Sequence, residues 1–565
     1  MKPLTLGGLI LVVGYCKAFQ SASRLYSVRL NRSPFQTRLY STAEKAQIPV
    51  DAISLPESSS VPIKEPLLEE LGRGVRRDFA ARLPYWKSDL TDGFQLPCLA
   101  ATFFMFFACL APAVGFGGLY AVASNSAIGT VEMITSTAVS GVLFALTAAQ
   151  PMTIIGGTGP VLAFVACLAQ MADMYKLPFL PLYAWTGLWT SAILFVSAMT
   201  SASNLVKYLT RFTDEIFSVL ISVIFLFEAC SNIAGTFSSA PLVQALLTLV
   251  CASTTYTIST RLQGLRRTAY FNKPIRNTIS NFAPTIGVVV AAWLARAARV
   301  AHGVTLPALA IPSQFGTTTG RPWLIPLLDL PVWARWASFL PALMATVLLF
   351  LDQNITVRLV NNNKYNMTKG RRPGNVLDGM HADMLVISLL TALQSIFGLP
   401  WLVAATVRSV SHVKACAKYD NDGKVVGTIE QRFTGALIHA GIGCCVLLKQ
   451  PRQWLALIPK PALMGLFLYL GASSLPGNEF WERFKGLFKE KATAVKERWT
   501  GVVPQSSVRK LTVVQLACLA AMIWVKESPA GVFFPIVIAM LAPLRFAMDR
   551  SGFIPKHHMN ILDEE

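Results

Sequence analysis

Charged residues leave long gaps along this chain. Runs without Asp, Glu, Lys or Arg cover residues 93–131, 133–172, 177–206, 229–260, 277–295, 301–320, 336–351, 384–407, 433–448, 461–478, 511–525 and 528–544. A helix that crosses a bilayer needs about 20 apolar residues. Several of the early runs are long enough for two passes. The pattern therefore predicts an all-α polytopic membrane protein with about 12 to 14 helical passes.

Two of these runs are interrupted in the same way. "LTAAQPMTIIGGTGPVLAF" (146–164) is similar to "LLTALQSIFGLPWLVAAT" (389–406). Each carries Leu-Thr-Ala, a Gln soon after, an apolar patch, and then Gly and Pro before a fresh apolar helix. Pro removes a backbone donor and Gly weakens a helix, so neither "GGTGP" nor "FGLP" continues smoothly. Paired interruptions in two halves point to a transporter built from repeats, with its site at mid-membrane. Helix restarts are expected at Thr158, Gly159, Pro160 and Val161, and again at Leu399 and Pro400. The unpaired N–H groups and dipole of such a start favour an anion.

Arg408 then falls two turns into the second restarted helix. An arginine at the bilayer centre costs about 2.5–3.5 kcal/mol on insertion scales. That cost favours a water-filled cavity or a counter-charge; the alternative is a head that reaches the membrane edge. Asp352, in "LLFLDQNITVRLV", stands at the end of an apolar run. One reading places it where the helix leaves the membrane. As a functional residue it is a candidate to pair with Arg408, to hold a proton, or to help coordinate Na+, since hard cations take oxygen ligands.

Composition agrees with the pattern. The chain has 565 residues, of which 53% are hydrophobic and 14% charged, and its mean hydropathy is +0.49. A soluble chain carries about 25% charged residues. The net charge of +20 does not indicate nucleic acid. The basic residues sit in short loops such as "RLQGLRRTAYFNKPIR" and "NNNKYNMTKGRRP", as the positive-inside bias produces. Ten cysteines show no CxxC spacing, and several, including Cys109, Cys167 and Cys518, lie inside apolar runs, where packing is their expected role.

Residues 1–49 read as a targeting presequence. Lys2 is followed by a short apolar core to Tyr15, small residues around Cys16-Lys17-Ala18, and Phe19. That is a signal-peptide pattern. The Ser- and Arg-rich stretch behind it has no acid before Glu44. The pair resembles the two-part presequence of algae with secondary plastids, which implies a plastid envelope; an ordinary signal and the plasma membrane are the alternative. Residues 50–80 read as a polar linker, 81–548 as the membrane domain and 549–565 as a short tail.

Seven stretches carry a family resemblance: "LPYWKSDLTDGF", "CLAATFFMFFACLAPAVGFGGLY", "STAVSGVLFALTAAQPMTIIGGTGPVLAF", "RFTDEIFSVLISVIFLFEA", "FLDQNITVRLV", "GLPWLVAATVRSVSH" and "WVKESPAGVFFPIVIAMLAPLR". In order, they resemble the bicarbonate transporter family, solute carrier family four. That family includes anion exchangers, sodium–bicarbonate cotransporters and related borate transporters. The resemblance runs from about Arg82 to Arg545. It implies fourteen segments in two inverted seven-segment repeats, a core and a gate domain, and a homodimer. It implies half-helices in the third and tenth segments that face each other around the anion. Thr158 matches the family's hydroxyl position beside the substrate, Arg408 the arginine of anion exchangers, and Asp352 the acidic position of the eighth segment.

The subtype signals are mixed. Asp at position 352 within "LDQNIT" is similar to sodium-coupled members, whereas Arg408 is similar to exchangers. The acidic pair that exchangers carry after the third segment's start is replaced by "AFVACLA". The resemblance thus implies secondary transport of bicarbonate, carbonate or another small inorganic anion, with Na+ or Cl- as the coupled ion. Borate transport and chloride/bicarbonate exchange are the alternatives within it, and a membrane scaffold without flux the alternative outside it. No enzyme is expected, because no acid, base and nucleophile converge in the sequence, and no cofactor is implied beyond Na+ as a coupling ion. His381 and Asp383 in "GMHAD" read as helix-start capping, Glu215 and Glu228 as helix-terminal charges, with Glu228 facing another helix as the alternative. The Asn366 sequon falls in a basic loop of the insertion side.

Overall fold

The structure, a computed structural model, describes residues 70–563 apart from 209, 266–267, 273–274, 277–278, 281, 373–374, 420–424, 489–498, 500–501, 529–530 and 532–533. The presequence and residues 50–69 lie outside the described residues. The first half holds α1 (Arg73–Arg82), α2 (Trp86–Thr91), α3 (Leu96–Ala123), α4 (Thr130–Thr147), α5 (Gly159–Met174), α6 (Phe179–Met199), α7 (Arg211–Ser239), α8 (Leu242–Gly264) and α9 (Ala283–His302). The second holds α10 (Val332–Ala337), α11 (Phe339–Val360), α12 (Met380–Ile396), α13 (Thr406–Cys416), α14 (Phe433–Leu447), α15 (Lys449–Leu455), α16 (Lys460–Ser474), α17 (Glu479–Gly486), α18 (Gln505–Glu527), α19 (Phe534–Ala539), α20 (Leu541–Ser551) and α21 (Lys556–Asp563). Two antiparallel pairs complete the described elements: β1 (Ile155–Gly156) with β2 (Val403–Ala404), and β3 (Ala417–Tyr419) with β4 (Val425–Thr428).

Eight helices among the described residues are long and apolar enough to span a bilayer, and the pair α14–α15, bent by 84°, adds a ninth. Such helices are apolar all round because one side faces protein and the other lipid. In α3, Cys98, Met105, Cys109 and Tyr120 are buried, while Leu96, Leu99 and Phe103 are exposed.

The helices form two packing groups. In the first, α4 packs on α14 and α12 packs on α6, while α3 touches α13 and α11 touches α5. In the second, α16 packs on α7 and α8, α8 on α9, and α18 on α7. Small residues let these helices approach closely. A Cβ on Gly141 of α4 would lie 1.9 Å from the ring of His439 of α14, and one on Gly465 of α16 would lie 2.2 Å from the carbonyl oxygen of Ala252 in α8.

Several expectations are corrected. The uncharged run 301–320 is not a helix beyond His302: Gly303, Pro307, Pro312, Gly316 and Gly320 break it, and it crosses the molecule without regular structure. It is tied down by Glu132, which accepts from the backbone N–H of Gly129 and Thr318. The linker reading fails at its end, because α1 is a helix from Arg73 whose Asp78 is buried. Within the short tail, residues 549–563 are described and carry the end of α20 and α21. Asp563 in α21 accepts from the N–H of Phe212 at 2.7 Å and from Nε of Arg545 at 2.6 Å, which caps the start of α7. Glu215 and Glu228 are not terminal charges. Glu215 is buried in α7 and pairs with Arg483, with Gln515 donating to it at 3.0 Å, and Glu228 faces Lys526 of α18 at 3.7 Å.

Filling the tightest helix crossing tests this packing. Gly141→Ala should cost about 1–3 kcal/mol of stability, as overpacking does. Gly235→Ala, in the open on α7, should cost nothing or stabilise by about 0.5–1 kcal/mol. Thermal unfolding of both variants in one detergent checks this; equal melting points would contradict the packing described.

Candidate functional site

The first interruption behaves as its sequence predicts. The chain leaves α4 at Ala148 and runs extended through β1, and α5 begins at Gly159 with Pro160 in its first turn and Thr158 as N-cap. Proline suits that position because its missing N–H is unpaired there anyway. Thr158 does not cap its own helix. Its Oγ1 donates to Oδ2 of Asp352 at 2.7 Å.

The second interruption differs from the expectation. No helix starts at Leu399 and Pro400. The chain stays extended to Ala405, and α13 starts at Thr406. This stretch is held by neighbours: the Tyr183 hydroxyl donates to the carbonyl of Leu399 (2.8 Å), Ser136 to that of Pro400 (2.7 Å), and the N–H of Leu402 and Ala404 donate to Gln394 and Gln353 (3.2 and 3.0 Å). Trp401 is fully buried and stacks on Tyr183 with ring centroids 4.3 Å apart. Leu399 and Pro400 thus hold the break and do not form a helix start. Arg408 consequently belongs to the first turn of α13 and does not lie two turns along it.

The two interruptions are joined through β1 and β2, with Ile155 opposite Ala404 and Gly156 opposite Val403. Ala405 N–H donates to Ile154 (2.8 Å), and Ser409 Oγ accepts from Ile154 N–H (3.0 Å). This crossing brings the starts of α5 and α13 together. Among the described residues, the first-turn N–H groups of Gly159, Val161, Thr406, Val407 and Arg408 find no acceptor. Arg408 Nη2 donates to the carbonyl of Gly157 at 2.7 Å. Its Nη1 is buried and has no partner among the described residues. The guanidinium lies on Gly156, where a Cβ would sit 2.4 Å from Nη1. The arrangement is one of unsatisfied donors and positive charge, which suits a small oxyanion.

Asp352 stands inside α11, two turns before its end, and is buried at 5% exposure. It is therefore no solvent-facing charge at a helix end. Asp352 bonds Thr158, and the structure gives it no bond to Arg408. Its neighbours Gln353, Asn354 and Thr356 are fully buried too. Thr356 and Thr406 share a hydroxyl–hydroxyl bond of 2.6 Å, and Asn354 Oδ1 has no partner among the described residues. Four polar residues within five positions of an apolar helix were the signal for this wall; only Asp352 was read from it. Sequence reasoning also missed β1 and β2, which are too short to show a period, and the two histidines behind them. His412 Nδ1 contacts the carbonyl of Met152 at 2.8 Å, and His439 Nε2 that of Ile155 at 3.4 Å.

The carboxylates at the start of α12 are engaged by backbone donors. Asp383 accepts from the N–H of Ala149 and Gln150 (2.7 and 3.1 Å), and Asp78 from the N–H of His381 and Ala382 (2.9 and 3.2 Å). Capping is therefore present, and it comes from other elements.

Comparison with known proteins follows this geometry. The family described as HCO3- transporter integral membrane domain matches residues 70–245 and 243–565. Sodium bicarbonate cotransporter 3 of Rattus norvegicus is 33% identical over 597 aligned residues, covering 90% of this chain and 48% of the relative. Band 3 anion transport protein of Mus musculus is 32% identical over 502, covering 84% and 53%. The chain spans about half the length of the curated relatives it matches. Among solved structures, the transmembrane domain of a cyanobacterium bicarbonate transporter, BicA, has a TM-score of 0.54 at 12% identity, covering 77% of this chain and 98% of that one. That likeness shows a shared helical membrane-transporter fold. The chain belongs to the HCO3- transporter family.

The wall of the site has its own test. Gln353→Leu keeps the shape but removes the acceptor of the Ala404 N–H, and an orphaned buried donor costs about 1–3 kcal/mol. Hydrogen–deuterium exchange should accelerate over residues 399–408 while that of α8 and α9 stays unchanged. Unaltered exchange in that stretch would show that Gln353 does not hold it.

Proposed function

We propose that this member of the HCO3- transporter family is a secondary active transporter of bicarbonate or carbonate, held between the starts of α5 and α13 beside Arg408. The observation that carries the reading is the buried, unpartnered Nη1 of Arg408 next to two helix starts joined by β1 and β2. A trigonal oxyanion supplies acceptors to a guanidinium in the fork geometry that arginine favours. The charge developed at two helix ends stabilises it further. Borate remains the alternative cargo of the same chemistry.

For coupling, our reading is Na+. Asp352, the Thr158 hydroxyl and the free Oδ1 of Asn354 are hard oxygen donors of the kind such a cation takes. The name of the rat relative, a sodium bicarbonate cotransporter, supports this direction. Exchange against Cl- is the second reading, favoured by Arg408 itself, since a fixed cation at the site suits an anion on both strokes of a cycle.

The reading extends to the architecture. We take α3 to α9, and α11, α12, α13, α14–α15, α16, α18 and α19–α20, as two inverted repeats of seven segments, with α5 and α13 in equivalent places and the two packing groups as core and gate. The reciprocal contacts α4–α14 and α12–α6, and α3–α13 and α11–α5, support it. A homodimer in a plastid envelope, or else in the plasma membrane, completes the proposal. A fluorescent fusion of residues 1–80 tests the location, and labelling confined to the cell surface would overturn the plastid reading.

Two substitutions test the mechanism in liposomes loaded with equal amounts of purified protein. Arg408→Ala should abolish bicarbonate uptake; full uptake would remove Arg408 from the site. Asp352→Asn should lose activation by external Na+ while keeping a residual flux. If Na+ activates this variant as it does the parent, Asp352 is no coupling residue, and dependence on internal Cl- then identifies exchange.

A further inference from the structure

Away from the paired helix starts, a cavity of about 290 Å³ lies between α1 and the connection from α11 to α12. Three arginines line it, Arg77, Arg371 and Arg372, together with Asp78 and Asp378. Its walls are built. Arg82 of α1 holds Asp89 in a two-pronged ion pair, both bonds 2.8 Å, and donates to Glu430 at 3.0 Å and to the carbonyl of Lys369 at 2.7 Å. Lys369 Nζ in turn reaches Asp92 at 2.8 Å. The loop can lie this close to α1 because Gly370 takes φ +67; a Cβ there would sit 3.0 Å from the carbonyl oxygen of Ala81.

The negative charges near the cavity are already engaged. Asp78 accepts from the start of α12, as above. Asp378 is bonded by Arg372, through backbone N–H and side chain, and by Asn375. Glu430 accepts from the N–H of Thr368 and Lys369 (2.6 and 2.9 Å). Arg371 has no hydrogen-bond or ion-pair partner among the described residues. Burial pulls its guanidinium down to about 10, although Glu430 acts to raise it. A half-buried arginine without a hydrogen-bonded acceptor among the described residues, facing a cavity that two further guanidiniums line, is short of negative charge.

We infer that this cavity binds a phosphate dianion, either free phosphate or the phosphomonoester of a lipid headgroup, with Arg371 as its principal contact and Arg77 on the opposite wall. Planar guanidiniums recognise phosphate oxygens in pairs. The cavity lies in the connection between the end of α11 and the start of α12, outside the long apolar helices. Occupancy would brace the α11–α12 connection. That connection is tied to the first interruption, because Asn361, just past α11, accepts from Gln150 at 2.5 Å and donates to the carbonyl of Asp378 at 2.9 Å.

The test uses the purified full-length chain with inorganic phosphate as one probe and nanodiscs with or without phosphatidylinositol 4-phosphate as the other. Binding is read by titration calorimetry for the first and by thermal shift for the second. Arg371→Gln and Arg77→Gln should each weaken binding by about tenfold or more, the loss of one charge-assisted hydrogen bond. Arg408→Ala and the exposed Arg550→Gln should bind as the parent does. A response to free phosphate assigns a soluble ligand, and a response to the lipid alone assigns a headgroup. The inference is overturned if neither probe binds, if both cavity variants bind as the parent does, or if Arg408→Ala abolishes binding.

Discussion

A helix broken inside hydrocarbon leaves backbone donors and acceptors that water cannot reach, and every one must find a partner within the protein. This chain breaks two helices, and each break completes the other. β1 pairs with β2; Ile154 bonds Ala405 and Ser409, and Pro400 bonds Ser136 of α4, while Gln394 and Gln353 of the second half take the N–H groups of Leu402 and Ala404. At the helix starts themselves, the first-turn N–H groups of α5 and α13 and one nitrogen of Arg408 stay without an acceptor among the described residues. Positive potential is therefore concentrated where the two starts meet.

The same constraint explains the carboxylates at the helix ends. Asp383, fully buried in the first turn of α12, receives the N–H groups of Ala149 and Gln150, where the first interruption begins. Asp78 of α1 receives the start of α12. A buried carboxylate is costly alone and tolerable when backbone donors converge on it. Through these two residues α1 becomes part of the membrane domain, which is why the family match begins at residue 70 and not after a linker.

Much of this was legible in the sequence, and the failures have physical causes. The apolar runs located the long helices because the span length is set by the bilayer. "GGTGP" located the start of α5 because Gly and Pro act locally. "FGLP" misled because the second break is longer. Gln150 and Gln394 are 244 positions apart, whereas the starts at Gly159 and Thr406 are 247 apart. The proline is therefore spent within the extended stretch, and the helix begins only after Trp401 has packed and Ala405 has paired. No local signal marks that point. Run 301–320 misled for the opposite reason: it lacks charge, but its polar backbone is satisfied by other segments, Leu309 by Ile458 and Lys460 by Pro307. Missing charge reports a dry environment and says nothing about regular structure.

The contacts around the site differ in kind between its two sides. On one side the site is held by directional hydrogen bonds. On its other side it is covered by apolar side chains laid on glycines: Phe225 and Ile221 of α7 against Gly159, and Phe116 of α3 against Gly157. Phe116 of α3, Phe225 of α7 and Phe467 of α16 stack together with centroids 5.5–5.7 Å apart. Among the described residues, α5 and α7 share no hydrogen bond. Apolar contact is non-directional and scales with area, whereas each hydrogen bond fixes a direction and costs its desolvation when broken. The division of labour follows from the side chains: polar residues fix the two helix starts to each other, and glycines under apolar side chains let α3 and α7 pack close to them.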